Sequence, residues 1–127
     1  MSNKRIFISF AMEDSKYRDF LVGQSRNDRC PFDFADMSVK EPWSDSWKTR
    51  CRTKIRGCDG FIALISKNTN QASGARWEIL CANQENIPIL GIYCNASDKP
   101  NLIPPEINGY PIRNWTWDNI YNFIEKL

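Results

Sequence analysis

The chain has 127 residues, 42% of them hydrophobic and 25% charged, with a formal net charge of +2. That size and composition predict one globular domain, residues 1–127, and exclude a membrane-spanning helix, because no apolar run nears the roughly 18 residues a span needs. The sequence contains no histidine, which excludes Ser/His/Asp and Cys/His nucleophiles, HExxH metal sites and any histidine base; carboxylates must carry whatever catalysis occurs.

In chain order, "RIFISF" (Arg5 to Phe10) is a β-branched and aromatic run, near-continuously apolar like a strand covered on both faces. "MEDSKYRDFLVGQSR" follows as a helix, with Tyr17, Phe20 and Leu21 at helical spacing and Asp14 or Ser15 available as a cap. "CPFDFADM" alternates apolar and polar positions and predicts a second, less protected strand. "SVKEPWSD" is a loop, since Pro42 removes a backbone donor, and Ser44 or Asp45 can cap the helix after it. From Ser46 to Arg56 the residues Trp47, Cys51 and Ile55 make a helical stripe that stops at Gly57.

"DGFIALIS" (Asp59 to Ser66) is the most apolar strand and is expected at the centre of the sheet. The loop "KNTNQA" leads into a helix containing "SGARWEIL", and "IPILGIYC" reads as a fourth strand. Beyond the proline-rich connection "DKPNLIPPEINGYP", "IRNW" is a short strand candidate, and "TWDNIYNFIEKL" is an amphipathic helix with Ile120, Phe123 and Ile124 on one side. Alternation of strand and helix predicts an α/β fold with one parallel sheet and helices on both faces, flavodoxin-like with strand order 2-1-3-4-5.

Five cysteines, Cys30, Cys51, Cys58, Cys81 and Cys94, are odd in number and form no CxxC pair. They indicate neither a disulfide framework nor a zinc site, so the metal expectation is none and a reducing cytoplasm fits best. The opening "MSNKRIFISF" lacks a small-residue cleavage site, so no signal peptide is expected. The small net charge gives no reason to expect nucleic acid, and the basic run Lys48, Arg50, Arg52, Lys54 and Arg56 reads as a solvated helix face from which Arg50 alone approaches the ligand crevice. "NWTW" places Trp115 and Trp117 either as anchors of the last helix or on an association surface.

Open parallel sheets bind ligands outside the carboxyl ends of the strands, where the strand order reverses. The crevice edges are then Ser9, Phe10 and Ala11 after the first strand and Ser66 to Ser73 after the third, with Glu78 early in the next helix. If Ser73 is the cap, the capping-box place falls on Arg76 and not on Glu78. The neighbours of Glu78 at three and four residues are Gly74, Ala75, Cys81 and Ala82, all small and none basic. Ala75, Ile79 and Ala82 form the apolar stripe, so Glu78 lies on or beside the buried edge, in surroundings that leave room for a ligand.

"RIFISF", "SVKEPWSD", "DGFIALIS" and the glutamate in "RWEI" together resemble a Toll/interleukin-1 receptor (TIR) domain, most like the stand-alone TIR proteins of the bacterial Thoeris antiphage defence system, from about Lys4 to Leu127. The resemblance implies cleavage of NAD⁺ at its nicotinamide glycosidic bond and cyclisation of the ADP-ribose part into a signal that activates a separate effector protein. NAD⁺ is then a substrate, with no resident cofactor, no membrane and no nucleic acid among the partners, and with room for a homo-oligomer. The family's glutamate matches Glu78, and the stretch gating its NAD site matches Ser38 to Asp45. Many catalytic members carry a Trp four residues before the glutamate, where this chain has Gly74; Trp77 or Trp47 is the candidate to replace that aromatic wall.

Breaking an N-glycosidic bond develops oxocarbenium character on the ribose, which a nearby carboxylate stabilises more in the transition state than in the ground state. Glu78 is assigned to the ribose hydroxyls and the developing cation. Phe10 and Trp43 are candidates to stack on flat rings, or else core and loop anchors; Asp36 and Ser38 are candidate polar contacts, and Ala11 lines the crevice. The alternatives are a non-catalytic TIR interaction module, in which Glu78 is incidental, and a deoxyribosyltransferase-like enzyme. A receiver domain fits poorly because Ser9-Phe10 and Ser66 stand where acidic residues are needed, and a flavodoxin because "AMEDS" is no phosphate loop.

Overall fold

A computed structural model describes residues 4–27, 32–37 and 39–127. Five strands, β1 (Lys4–Ser9), β2 (Phe32–Ala35), β3 (Gly60–Ile65), β4 (Ile89–Tyr93) and β5 (Ile112–Arg113), form one all-parallel sheet in the order β2-β1-β3-β4-β5. The helices are α1 (Ser15–Asn27), α2 (Asp45–Arg56), α3 (Ser73–Gln84) and α4 (Trp117–Glu125). This is the flavodoxin-like α/β fold expected from the alternation of apolar runs.

Alternate residues of the central strands feed two separate cores, as the period of two in a strand requires. Phe7, Phe61, Ala63 and Ile65 pack on one face with Trp47, Cys51 and Ile55 of α2 and Ile79, Cys81 and Ala82 of α3. Ile6, Ile8, Ile62 and Leu64 pack on the other with Leu21 of α1 and Ile120 and Ile124 of α4. All six residues of β3 are buried, because a central parallel strand is covered on both sides. Trp115 and Trp117 serve as anchors: Trp115 meets Tyr17, with ring centroids 6.1 Å apart, and Trp117 meets Phe32 at 6.0 Å.

The boundaries depart from the sequence expectations at several ends. β1 stops at Ser9, β3 is trimmed to Gly60–Ile65, and β5 keeps only Ile112 and Arg113 of "IRNW". Cys30 and Pro31, expected to open β2, and Ser38 lie outside the described residues. Met12–Asp14 forms a 3₁₀ turn ahead of α1. α2 begins one residue earlier than expected because Ser44 is its cap, accepting from the backbone N–H of Trp47 at 3.3 Å. The cap of α3 is Ala72 and not Ser73, and it makes no side-chain cap bond. Thr69–Gln71 forms a 3₁₀ turn immediately before it, which brings the chain into the helix without a polar cap.

Candidate active site

The crevice between the carboxyl ends of β1 and β3 is tied by a polar network. Asp14, 2% exposed, accepts hydrogen bonds from the Ser66 hydroxyl at 2.5 Å and from Asn68 Nδ2 at 3.0 Å. The backbone N–H of Ser66 in turn donates to Thr69 Oγ1 at 2.9 Å. Asp14, considered from sequence as a helix cap, therefore joins the entry of α1 to the loop after β3, and both rims of the crevice are fixed to the sheet.

Glu78 projects from the second turn of α3 toward the end of β1 and is 0% exposed. Its Oε1 accepts from the Ser9 hydroxyl at 2.9 Å, and Ser9 Oγ also lies 3.2 Å from the carbonyl of Ala75. Lys40 Nζ donates to both carboxylate oxygens, at 2.9 and 3.0 Å, and the Cys51 thiol lies 3.7 Å from Oε2. Burial raises the Glu78 carboxyl to about 7, and it outweighs the opposing attraction of Lys40 and the hydrogen bonds from Lys40, Ser9 and Cys51. The Cys51 thiol is pushed up as well, by burial first and then by the adjacent carboxylate, so it is a protonated donor and not a nucleophile.

The open surroundings expected for Glu78 are filled. The gap left by its small helical neighbours is occupied by the stem of Lys40: a Cβ on Gly74 would fall 2.8 Å from Lys40 Cβ and 3.0 Å from its Cδ. Gly74 thus makes room for a lysine from another part of the chain, and the absence of a basic residue three or four positions away is compensated across 38 residues.

The other sequence candidates divide sharply by position. Phe10 and Ala11, expected to line the crevice, are 1% and 0% exposed. Lys40 Nζ and Arg18 Cζ lie 4.5 and 5.1 Å from the Phe10 ring centroid, and the buried ring offers no free face for stacking. Trp47 is buried in the core, with its indole N–H donating to Val39 O at 2.7 Å and its ring on Trp77 with centroids 5.3 Å apart. It is therefore a strut beneath the loop, not an exposed wall. Trp43 is 76% exposed on that loop.

Asp36 is engaged by Arg18 at 3.0 Å and lines a separate cleft of about 660 Å³ between α1 and β2, together with Arg26, Phe32 and Phe34. Arg50, expected to approach the crevice, donates to Ser46 of its own helix at 2.6 Å. Ser38 is outside the described residues. Among the described residues no group of three or more His, Cys, Asp or Glu is placed to hold a metal ion, and no helix is long and apolar enough to cross a membrane.

Residues 7–99 match the family model of the Thoeris protein ThsB, TIR-like domain. The chain belongs to this family. The matched span contains Ser9, Lys40, Cys51 and Glu78, so among the described residues the side chains bonded to the buried carboxylate lie within the ThsB TIR-like region, whereas β5 and α4 fall beyond it. Membership supports a TIR-family defence protein. No curated protein matches the chain.

Sequence reasoning missed Lys40 and Cys51 as partners of Glu78. A signal for Lys40 was present: a glutamate on a buried helix edge with no local cation needs one from elsewhere, because an uncompensated buried charge is costly.

Proposed function

We propose that this ThsB TIR-like chain is a cytoplasmic NAD⁺ nucleosidase and cyclase. It cleaves the bond between nicotinamide and ribose and closes the ADP-ribose part into a cyclic nucleotide, which activates a separate effector protein in antiphage defence. NAD⁺ is the substrate, and no resident cofactor or metal takes part. The observation that carries this reading is the desolvated carboxylate of Glu78 at the crevice where the strand order reverses.

The cationic nicotinamide leaves without needing a general acid, so a chain without histidine suffices. As the glycosidic bond lengthens, positive charge grows on the ribose, and an ionised Glu78 in low-dielectric surroundings stabilises that charge more than it stabilises bound NAD⁺. Ser9, rooted at the end of β1, orients the carboxylate through Oε1. Attack on the ribose carbon by water gives ADP-ribose, whereas attack by a nucleophile of the same molecule gives the cyclic product.

The test is nicotinamide release from NAD⁺ by the purified protein, with products identified by mass spectrometry. Glu78→Gln keeps the shape and removes the charge, and is expected to lower the rate by about 100-fold or more. NAD⁺ left intact under conditions that activate the wild-type pathway would refute the reading.

A second reading, a non-catalytic interaction module, draws on the fully partnered hydrogen bonds of Glu78, which would equally suit a structural ion pair. Under it, Glu78→Gln would alter stability while leaving defence signalling intact.

A further inference from the structure

The cleft of about 660 Å³ between α1 and β2 has no part in the NAD⁺ reading, and its helical wall follows a pattern of its own. Asp19, Val22, Gly23 and Arg26 line it, and their spacing of three, four and seven residues places them on one face of α1. Tyr17 and Leu21 turn toward the core from the opposite side of the helix. Along the stripe the order is acidic, apolar, glycine, basic. Asp19 and Arg26 are exposed, while Val22 and Gly23 are half-buried.

Packing within the chain does not account for Gly23. Glycine inside a helix is disfavoured relative to alanine, yet a Cβ at this position would meet nothing within 4 Å among the described residues beyond its own helix. Gly74 and Gly91, by contrast, are each crowded by side chains of other elements. A Cβ missing where the chain itself brings up no neighbour leaves room for the close approach of a second backbone.

The lining is also mixed in sign. Arg18 and Arg26 share it with Asp19, Asp33 and Asp36, and Arg18 already holds Asp19 at 2.7 Å and Asp36 at 3.0 Å. Such a surface sets up little net field for a phosphate or a polyanion, and it suits a partner carrying the same charges in reverse order. The stripe turned end for end is that partner. β2 borders the cleft, and among the described residues its outer edge pairs with no further strand, so a neighbour seated here also shields an open sheet edge.

We propose that the α1–β2 cleft is the interface of a two-fold homodimer: α1 of a second copy lies antiparallel along it, with Asp19 of each protomer against Arg26 of its partner. A two-fold axis forms both charge pairs at once and brings Val22 and Gly23 together at the centre, whereas a parallel arrangement would set Asp19 against Asp19. Arg18 engages only Oδ1 of Asp19, which leaves Oδ2 for the incoming guanidinium. The dimer is independent of the NAD⁺ reading.

The test is sedimentation equilibrium of the purified chain up to about 1 mM, beside native mass spectrometry, which separates mixed from unmixed dimers. Wild type is expected to dimerise. Asp19→Arg and Arg26→Asp are each expected to weaken the dimer about ten-fold or more, because each sets like charges together in both pairs. Equal parts of the two variants are expected to form a mixed dimer of near wild-type affinity, since Arg meets Asp at both places again. A reversal that merely loosened the fold would not be rescued by mixing. Gly23→Gln is expected to melt no lower than wild type while weakening the dimer, because the added side chain fills the centre of the interface and nothing in its own chain.

A wild-type chain that stays monomeric at about 1 mM would overturn the proposal. So would a dimer that survives both charge reversals, or two weakened variants that fail to pair on mixing.

Discussion

Glu78 couples activity and stability to pH with opposite signs. The NAD⁺ reading requires the ionised carboxylate, and burial raises this group to about 7, so turnover is expected to climb as pH rises through neutrality. A pH-rate profile of kcat/KM between about pH 6 and 8 checks this; a flat profile would remove Glu78 from the chemistry. For folding, a carboxyl held above its ordinary value of 4.5 contributes stability that is fully present below that pH and is lost as pH rises through about 7. Glu78→Gln removes this dependence, so the stability lost between acid and neutral pH should shrink by on the order of 2 to 3 kcal/mol in urea titrations. That Glu78 was worth singling out was legible from its place at the switch crevice and from its missing helical partner. Its place beside the buried edge was legible too, but its complete closure was not, because the covering cation lies 38 residues away.

At the scale of elements, the start of α3 and the loop before α2 are built to fit one another. Gly74 is buried where the Lys40 stem crosses the helix, and a Cβ there meets Lys40 Cβ at 2.8 Å, too close to be absorbed by the flexible end of the side chain. Gly74→Ala gains about 0.5 to 1 kcal/mol of helix propensity but must displace the loop, so overall stability should change little. Thermal melting of the variant beside wild type checks this. Helix periodicity identified α2 and α4 well, since Trp47, Cys51 and Ile55 and also Ile120 and Ile124 are the residues their faces bury. It did not separate the roles of the aromatics. Trp43 and Trp47 stand four residues apart in sequence, yet one is 76% exposed and the other 1%, a difference set by whether the core reaches that side of the loop.

At the scale of the whole molecule, the sheet depends on close approach at its far end. A Cβ on Gly91 of β4 would lie 2.9 Å from Ile112 Cγ1 and 3.0 Å from Ile107 Cδ1, where β5 and the 3₁₀ turn Pro105–Ile107 close over the sheet. Gly91→Val is expected to destabilise the fold by about 1 to 3 kcal/mol, read as a lower urea midpoint with an unchanged slope. Arg76, paired with Glu106 through two hydrogen bonds at 2.9 and 3.0 Å, ties the same turn to α3. The sequence by itself determined the alternation of strands and helices and the strand order, with its reversal between β1 and β3. Apolar periodicity is a local property, and the right-handed crossover rule converts it into topology. Only the tertiary structure decided that Lys40 closes over Glu78, that Phe10 and Trp47 are buried supports, and that Asp36 faces a different cleft. Those facts depend on which distant side chains meet, and a buried charge is governed by the partner that reaches it through space.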